Sequence, residues 1–279
     1  LPILFGFLGF FLPSFNYLPT LGKGELNLNF FYLSMNIPGI YKSILLSIFT
    51  GLVSTALALF FSQVILLYFF KTKFYNYLKI IISPLIALPH ITMAIGLIFL
   101  LSPSGLLLRS VSPWLTGFDR PPNSYLFPDE YGFFLILGLI LKEIPFLILV
   151  SLSALREFSS SKFFDMGKSL QHSSFSTWFI LIFPIIYKKI RLVVFIIIAF
   201  SSSVVDMSLL LAPSTPSTLS VRILQIFQSS NMDSFFIASN LSLIQLFIII
   251  LLLIVWIFFE KIIKLKFFYV FFIKITSFK

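Results

Sequence analysis

Long apolar runs alternate with short polar segments along the whole chain. Because about 20 apolar residues in a helix are enough to cross a bilayer, this pattern predicts an all-α integral membrane protein with about six transmembrane helices. The predicted spans are Leu1 to about Leu18, Ile40–Phe70, Ile80–Leu101, Tyr131–Leu155, about Ile190–Leu211 and Ser234–Phe259. They form a single predicted membrane domain over 1–279, with its core at about 40–259, a polar loop at 156–184 and a basic tail at 260–279.

Two of these spans are irregular. Pro84 and Pro89 interrupt the third, and prolines are tolerated in a membrane helix where neighbouring helices satisfy the freed backbone carbonyls. We therefore expect the third span to face the interior of the bundle. The first span starts at Leu1 without a basic lead-in or a small-residue cleavage site. It is interpreted as the remainder of a span, and not as a signal peptide, in a chain that is a fragment or has lost its first residues.

Composition narrows the class of protein further. The chain is 58% hydrophobic and 11% charged, with a mean hydropathy of +1.04, whereas soluble domains carry about 25% charged residues. This excludes a globular protein in water and makes the lipid bilayer its environment. The net charge of +10 is spread over the segments between spans, which is not the pattern of a nucleic-acid-binding protein. Without cysteine there is no disulfide and no thiol chemistry.

The segment from Ser159 to Pro184 is the one long polar stretch flanked closely by apolar runs. Its start has the spacing of a short amphipathic helix. Phe163, Met166 and Leu170 fall on one face, and Lys162, Lys168 and Gln171 lie toward the other. Ser159, Ser160 and Ser161 offer N-cap oxygens, and Asp165 places a negative charge near the helix start. Such a helix lies at the membrane surface or in the groove of a partner protein.

The same segment resembles the cytoplasmic loop of ABC-transporter permeases, whose pattern is E-A-A-x-x-x-G, nine residues, then I-x-L-P. Asp165 stands for the Glu, Met166 and Gly167 for the alanines, and Gln171 for the glycine; Leu181, Phe183 and Pro184 match the end. The resemblance implies a coupling helix between the fourth and fifth spans that binds a cytoplasmic ATPase. The residues implied in coupling are Phe163, Asp165, Met166, Gly167, Lys168, Leu170, Gln171 and Pro184.

Other segments are similar to one branch of these permeases, the thiamine-type importers. They are SPLIALPH from Ser83, LKEIPF from Leu141, and the predicted outer loops 112–122 and 205–219. Members of that branch are typically twice this length, with two permease halves in one polypeptide. The resemblance therefore implies the first half, or a truncated product, of an importer in the bacterial inner membrane. It also implies a second permease half (fused or separate) and a periplasmic solute-binding protein as partners.

The basic residues indicate the orientation. Fourteen of the twenty Lys and Arg residues lie on the side of the polar loop, and Lys142 lies within a span. The opposite side has Lys23, Lys42, Arg109, Arg120 and Arg222. By the positive-inside rule, the polar loop and the C-terminus are predicted to be cytoplasmic.

Three charged residues fall inside predicted spans: Lys142 and Glu143 in the fourth, and Asp206 in the fifth. Charges at membrane depth are costly and usually face a cavity or one another. They are therefore candidates for a solute pathway, or for ion pairs that fix the packing of the helices. Lys142 and Glu143 point about 100° apart on a helix, so each needs a partner elsewhere, and Asp206 is a candidate partner of Lys142.

A second function stays open, a proton-coupled secondary carrier that uses Glu143, Asp206 and His90 as a relay. The chain has no internal repeat of the kind many such carriers have. An intramembrane enzyme is disfavoured, because no catalytic set gathers at one depth. Gly167, Lys168 and Ser169 resemble the end of a phosphate-binding loop, but Lys162 occupies its glycine position. ATP hydrolysis is thus expected in a separate subunit, and neither a cofactor nor a metal site is expected here.

Overall fold

The structure is a computed structural model that describes residues 2–122 and 129–276. Residues 123–128 of the predicted loop Ser102–Glu130, Leu1 of the first span and residues 277–279 of the tail lie outside the described residues. The described part of the chain folds into α-helices and contains no strand. In chain order they are α1 Pro2–Ser14, α2 Asn29–Met35, α3 Ile40–Phe69, α4 Leu78–Ala87, α5 His90–Leu101, α6 Leu106–Val111, α7 Phe133–Arg156, α8 Ser160–Ser169, α9 Ser174–Thr177, α10 Phe183–Ser203, α11 Asp206–Leu211, α12 Leu219–Phe227 and α13 Met232–Thr276.

Four helical segments of the described chain are long and apolar enough to cross a membrane, which confirms a membrane-embedded, multi-pass, all-helical protein. They are Ile40–Phe69, His90–Val111, Phe133–Arg156 and Met232–Ile262. The first and third agree with the predicted second and fourth spans to within two residues. The last continues as helix to Thr276, so the predicted tail after Phe259 begins as an extension of α13.

The other two predicted spans differ from their predictions. α1 has 13 residues, which at 1.5 Å per residue is about 20 Å and shorter than the bilayer core. α10 begins at Phe183, seven residues before the predicted start. It includes Lys188, Lys189 and Arg191. It ends at Ser203, and the chain is extended at Val204 before α11 begins at Asp206.

The predicted third span is divided in two. α4 ends at Ala87, Leu88 and Pro89 are extended, and α5 begins at His90. Proline has no N–H to continue the helical ladder, and it disfavours helical backbone at the residue before it. Pro84 is accommodated within α4, so Pro89 makes the break.

The bundle centre is formed by α3, α7, α10 and α13, whose buried side chains share one apolar core. Small residues bring α3 and α10 together: a Cβ added to Gly51 would lie 2.8 Å from Ser202 Cβ, the close approach that small residues permit between membrane helices. A second cluster joins α5, the start of α7 and α11. Between these clusters lies the α4–α5 break.

Candidate functional site

The polar loop forms the short helix α8. The backbone of α8 packs closely against the segment that follows it. Gly167 is buried, and a Cβ added there would lie 2.4 Å from Thr177 Cγ2 and 3.1 Å from Leu181 Cδ1. Gly167 is therefore on the inner face of α8, packed against α9 and the segment after it. A substitution at Gly167 would disturb this packing, so it cannot report on the outer face alone.

The outer face of α8 is apolar and exposed. Phe163, Met166 and Leu170 are 37%, 49% and 63% exposed, in agreement with the face that their spacing predicts. An exposed apolar face on a short surface helix is suited to a partner groove. The predicted N-cap bond is absent, because Ser159 occupies the N-cap position but its side chain accepts no hydrogen bond.

Charged and aromatic contacts hold α8 to the α3–α4 connection. Asp165 forms an ion pair with Lys71 at 2.5 Å, and Lys71 also lies over the ring of Phe164, 5.6 Å from its centroid. The Phe164 ring in turn packs against Phe70, with centroids 5.2 Å apart. Asp165, predicted as a coupling residue, thus has a partner within this chain.

Tyr75 also packs against Phe70, with ring centroids 5.9 Å apart. Burial raises the pKa of the Tyr75 phenol, while the positive charge of Arg156 acts in the opposite direction. The phenol therefore stays neutral at physiological pH. Packing of the rings of Phe70, Tyr75 and Phe164 supports α8.

The end of α8 explains the departure from the permease pattern at Gln171. Its backbone is left-handed, with φ of +60°. The amide of Gln171 donates to the carbonyl of Lys168 at 2.9 Å, and the amide of His172 donates to that of Gly167 at 3.1 Å. This is the Schellman arrangement, in which the left-handed position favours glycine. The family glycine thus corresponds to a backbone requirement that Gln171 meets under strain.

Pro184 follows a local widening of the helix. Residues Trp178–Ile182 are π-helical, and the amide of Phe183 donates to the carbonyl of Trp178. Because Pro184 has no N–H and its ring conflicts with a regular α-turn before it, the wider turn lets the chain stay helical into α10. Trp178 is fully buried and contacts Phe70, with ring centroids 5.2 Å apart.

A cavity of about 330 Å³ lies beside the α4–α5 break. Two of the three predicted pathway residues, Lys142 and Glu143, line this cavity. α7 contributes Lys142, Glu143 and Phe146; the break contributes Ile86, Leu88 and His90; α10 contributes Ile196, Ile197 and Phe200. Asp206 does not line this cavity, and as the first residue of α11 it is exposed.

Lys142 is paired with backbone, and not with Asp206 as predicted. Its ammonium donates to the carbonyl oxygens of Ile86 at 2.9 Å, of Leu85 at 3.4 Å and of Leu88. None of the ion pairs within the described residues includes Lys142 or Asp206. These carbonyls are left open where α4 ends, and a cation near a helix C-terminus is favoured by the helix dipole.

Glu143 has no comparable partner. It is 6% exposed, and it makes no hydrogen bond or ion pair with any residue whose side chain the structure describes, which are residues 4–75, 77–122 and 129–262. His90 is half-buried, and its ring lies 4.9 Å from that of Phe200. Among the described residues there is no group of three or more His, Cys, Asp or Glu side chains that could hold a metal ion.

The sequence did not reveal a polar cluster that joins α10 to α13. Glu260 is 8% exposed and pairs with Arg191 at 2.9 Å. It also accepts a hydrogen bond from the Tyr187 hydroxyl, which in turn accepts one from Trp256 at 2.8 Å. A signal was present, since Glu260 is an acidic residue in an otherwise basic segment.

Comparisons with known proteins place the chain near membrane transport proteins. It is similar to the inner membrane ABC transporter permease protein YnjC of Escherichia coli (strain K12), with 31% identity over 137 residues. The match covers 49% of this chain and 25% of that relative, so the chain spans only part of the relative's length. No family model matches the chain. This distant homology supports a membrane permease subunit.

Proposed function

We propose that the chain is the membrane-spanning permease subunit of a bacterial ABC importer, located in the inner membrane. The observation that carries this proposal is α8, a short helix with an exposed apolar face, placed between two long helices of the bundle. The similarity to an inner membrane ABC permease supports it. In this proposal the protein has six membrane segments: α10 is a fifth crossing, and α1, about 20 Å long, lies within the bilayer as part of the sixth.

On this proposal α8 is the coupling helix. Phe163, Met166 and Leu170 lie in a groove of a cytoplasmic ATPase, and movement of the groove displaces α8. The displacement reaches α9, and through it the start of α10, by the packing of Gly167 against Thr177. From α10 it reaches α7 through the ion pair of Lys189 with Glu157. Such exposed ion pairs contribute about 0–1 kcal/mol each, so packing at Gly167 transmits most of the motion.

The solute pathway needs a second permease half, fused or separate, since one bundle of this size cannot enclose a path. The E. coli relative is about twice as long as this chain, consistent with two halves in one polypeptide. A periplasmic solute-binding protein delivers the solute, and the thiamine-type branch remains our proposal for the kind of importer.

The coupling role is tested by Met166→Asp, with the ATPase co-expressed. Met166 is half exposed, so the change leaves the bundle intact while placing an unpaired charge in the groove. We expect co-purification of the ATPase to fall at least tenfold. Phe74→Asp is the matched control, because Phe74 is also exposed but lies in the α3–α4 connection. Equal recovery of the ATPase with Met166→Asp and the unmodified chain would refute the docking assignment.

Orientation is tested with single cysteines, since the chain has none of its own. Trp114 and Met166 are both exposed, on opposite sides in this proposal. A membrane-impermeant maleimide should label Trp114→Cys in cells whose outer membrane is opened, and Met166→Cys only after the inner membrane is lysed. Labelling of Met166→Cys before lysis would invert the orientation.

A proton-coupled secondary carrier is the second candidate. The cavity that joins His90, Lys142 and Glu143 favours it, because buried ionisable groups at a cavity are typical of proton relays. Exposed Asp206 does not line that cavity. Transport by reconstituted protein separates the two: an importer requires the ATPase and ATP, whereas a carrier responds to a pH gradient alone.

A further inference from the structure

The adjacent charges of α7 have different environments in the cavity. An ammonium group has three N–H donors, and the three backbone carbonyls at the end of α4 accept from Lys142. Lys142 therefore has no donor left for a ligand. The positive charge of Lys142 also interacts favourably with the negative, C-terminal end of the α4 helix dipole.

Glu143 is the opposite case. Its side chain is more than nine-tenths buried and lines the cavity, yet no donor from the described chain reaches its oxygens. A buried carboxylate without hydrogen bonds is strongly destabilising. A ligand that brings its own donors and a positive charge would remove this penalty.

The remaining lining selects the chemistry of that ligand. Phe146 and Phe200 present aromatic rings, which attract cations through their faces. Metal ions need several oxygen ligands, and the described residues hold no group of three acidic or histidine side chains that could supply them. The volume of about 330 Å³ is at the lower end of the range for small-molecule sites.

We propose that this cavity binds a small organic cation, a protonated amine with a compact apolar body. The ammonium group lies at the Glu143 carboxylate, and the apolar body lies against Phe146 and Phe200. As the class of transported solute this rests on the importer proposed above; as a binding site it does not.

Three probes of nearly equal size test the charge preference: benzylammonium, benzyl alcohol and benzoate. Binding to the purified full chain in lipid nanodiscs is measured by calorimetry. We expect benzylammonium to bind at least tenfold more tightly than benzyl alcohol, and benzoate not to bind. Benzyl alcohol binding as tightly as benzylammonium, or benzoate binding more tightly, would overturn the proposal.

Glu143→Gln keeps the size of the side chain and removes its charge. We expect it to abolish the preference for benzylammonium, while Glu130→Gln, at an exposed position, retains it. A preference that survives in Glu143→Gln overturns the assignment to Glu143. If Glu143→Gln does not fold, the three probes on the unmodified chain still decide the outcome.

The two proposals fail separately, because the binding measurement uses no ATPase. Loss of the cation preference with normal ATPase co-purification refutes the site and leaves the permease. Cation binding by a chain that recruits no ATPase refutes the permease and leaves the site.

Discussion

The cavity beside α7 and the helix α8 are stabilised in different ways. At the cavity, the buried ammonium of Lys142 donates to three backbone carbonyls where α4 ends at the helix break. At α8, a glycine permits close packing, and the exposed ion pair of Asp165 with Lys71 adds to it. Removing one partner of a buried charge interaction lowers the free energy of unfolding strongly, whereas removing an exposed ion pair changes it little. We therefore expect the cavity to be a fixed element and α8 to be one that can move.

The largest effect is expected from Lys142→Met, which leaves the carbonyls of Leu85, Ile86 and Leu88 without a donor. Each unsatisfied buried group costs about 1–3 kcal/mol, so the loss of three acceptors' donor should lower the thermal midpoint in detergent by at least about 6 °C. Lys79→Met, at an exposed lysine of α4, is the control and should change little. Equal thermal midpoints for the two variants would mean that the Lys142 ammonium does not stabilise the α4–α5 break.

An intermediate effect is expected from Gly167→Ala. The added methyl group would overlap Thr177, and such overpacking costs about 1–3 kcal/mol. We expect faster protease cleavage between α8 and α10. Gly96→Ala is the matched control, because a Cβ there meets no atom within 4 Å. Unchanged cleavage in Gly167→Ala would mean that α8 does not depend on this contact.

The smallest effect, and a stabilising one, is expected from Gln171→Gly. Left-handed backbone costs a non-glycine residue about 1–2 kcal/mol, partly offset by the greater freedom of glycine in the unfolded chain. Hydrogen exchange in α8 should slow by up to a few-fold, and Gln171→Ala should show no such slowing. Faster hydrogen exchange in α8 of Gln171→Gly would show that the backbone at Gln171 is not strained.

The sequence predicted the long unbroken helices well, and the broken helices and the partners of charged side chains poorly. The bounds of α3 and the exposed face of α8 follow from hydrophobic periodicity, which reports local burial. The partner of Lys142 could not be predicted, since it is backbone exposed by a break elsewhere in the chain. The end of α10 at Ser203, which puts Asp206 at the start of α11, could not be predicted, because apolar residues continue after it from Val204 to Ala212. The strain at Gln171 depends on backbone conformation, for which only the resemblance to a glycine position gave a signal.

The most direct test of the central claim is a crosslink from the outer face of α8. The chain has no cysteine, so Met166→Cys can carry a single photoreactive group in native membranes, with Phe74→Cys as its counterpart on the α3–α4 connection. The adducts are identified by mass spectrometry. We predict an adduct between position 166 and an ATP-binding cassette subunit, and none from position 74. An unreactive position 166, or equal adducts from both, would contradict the account.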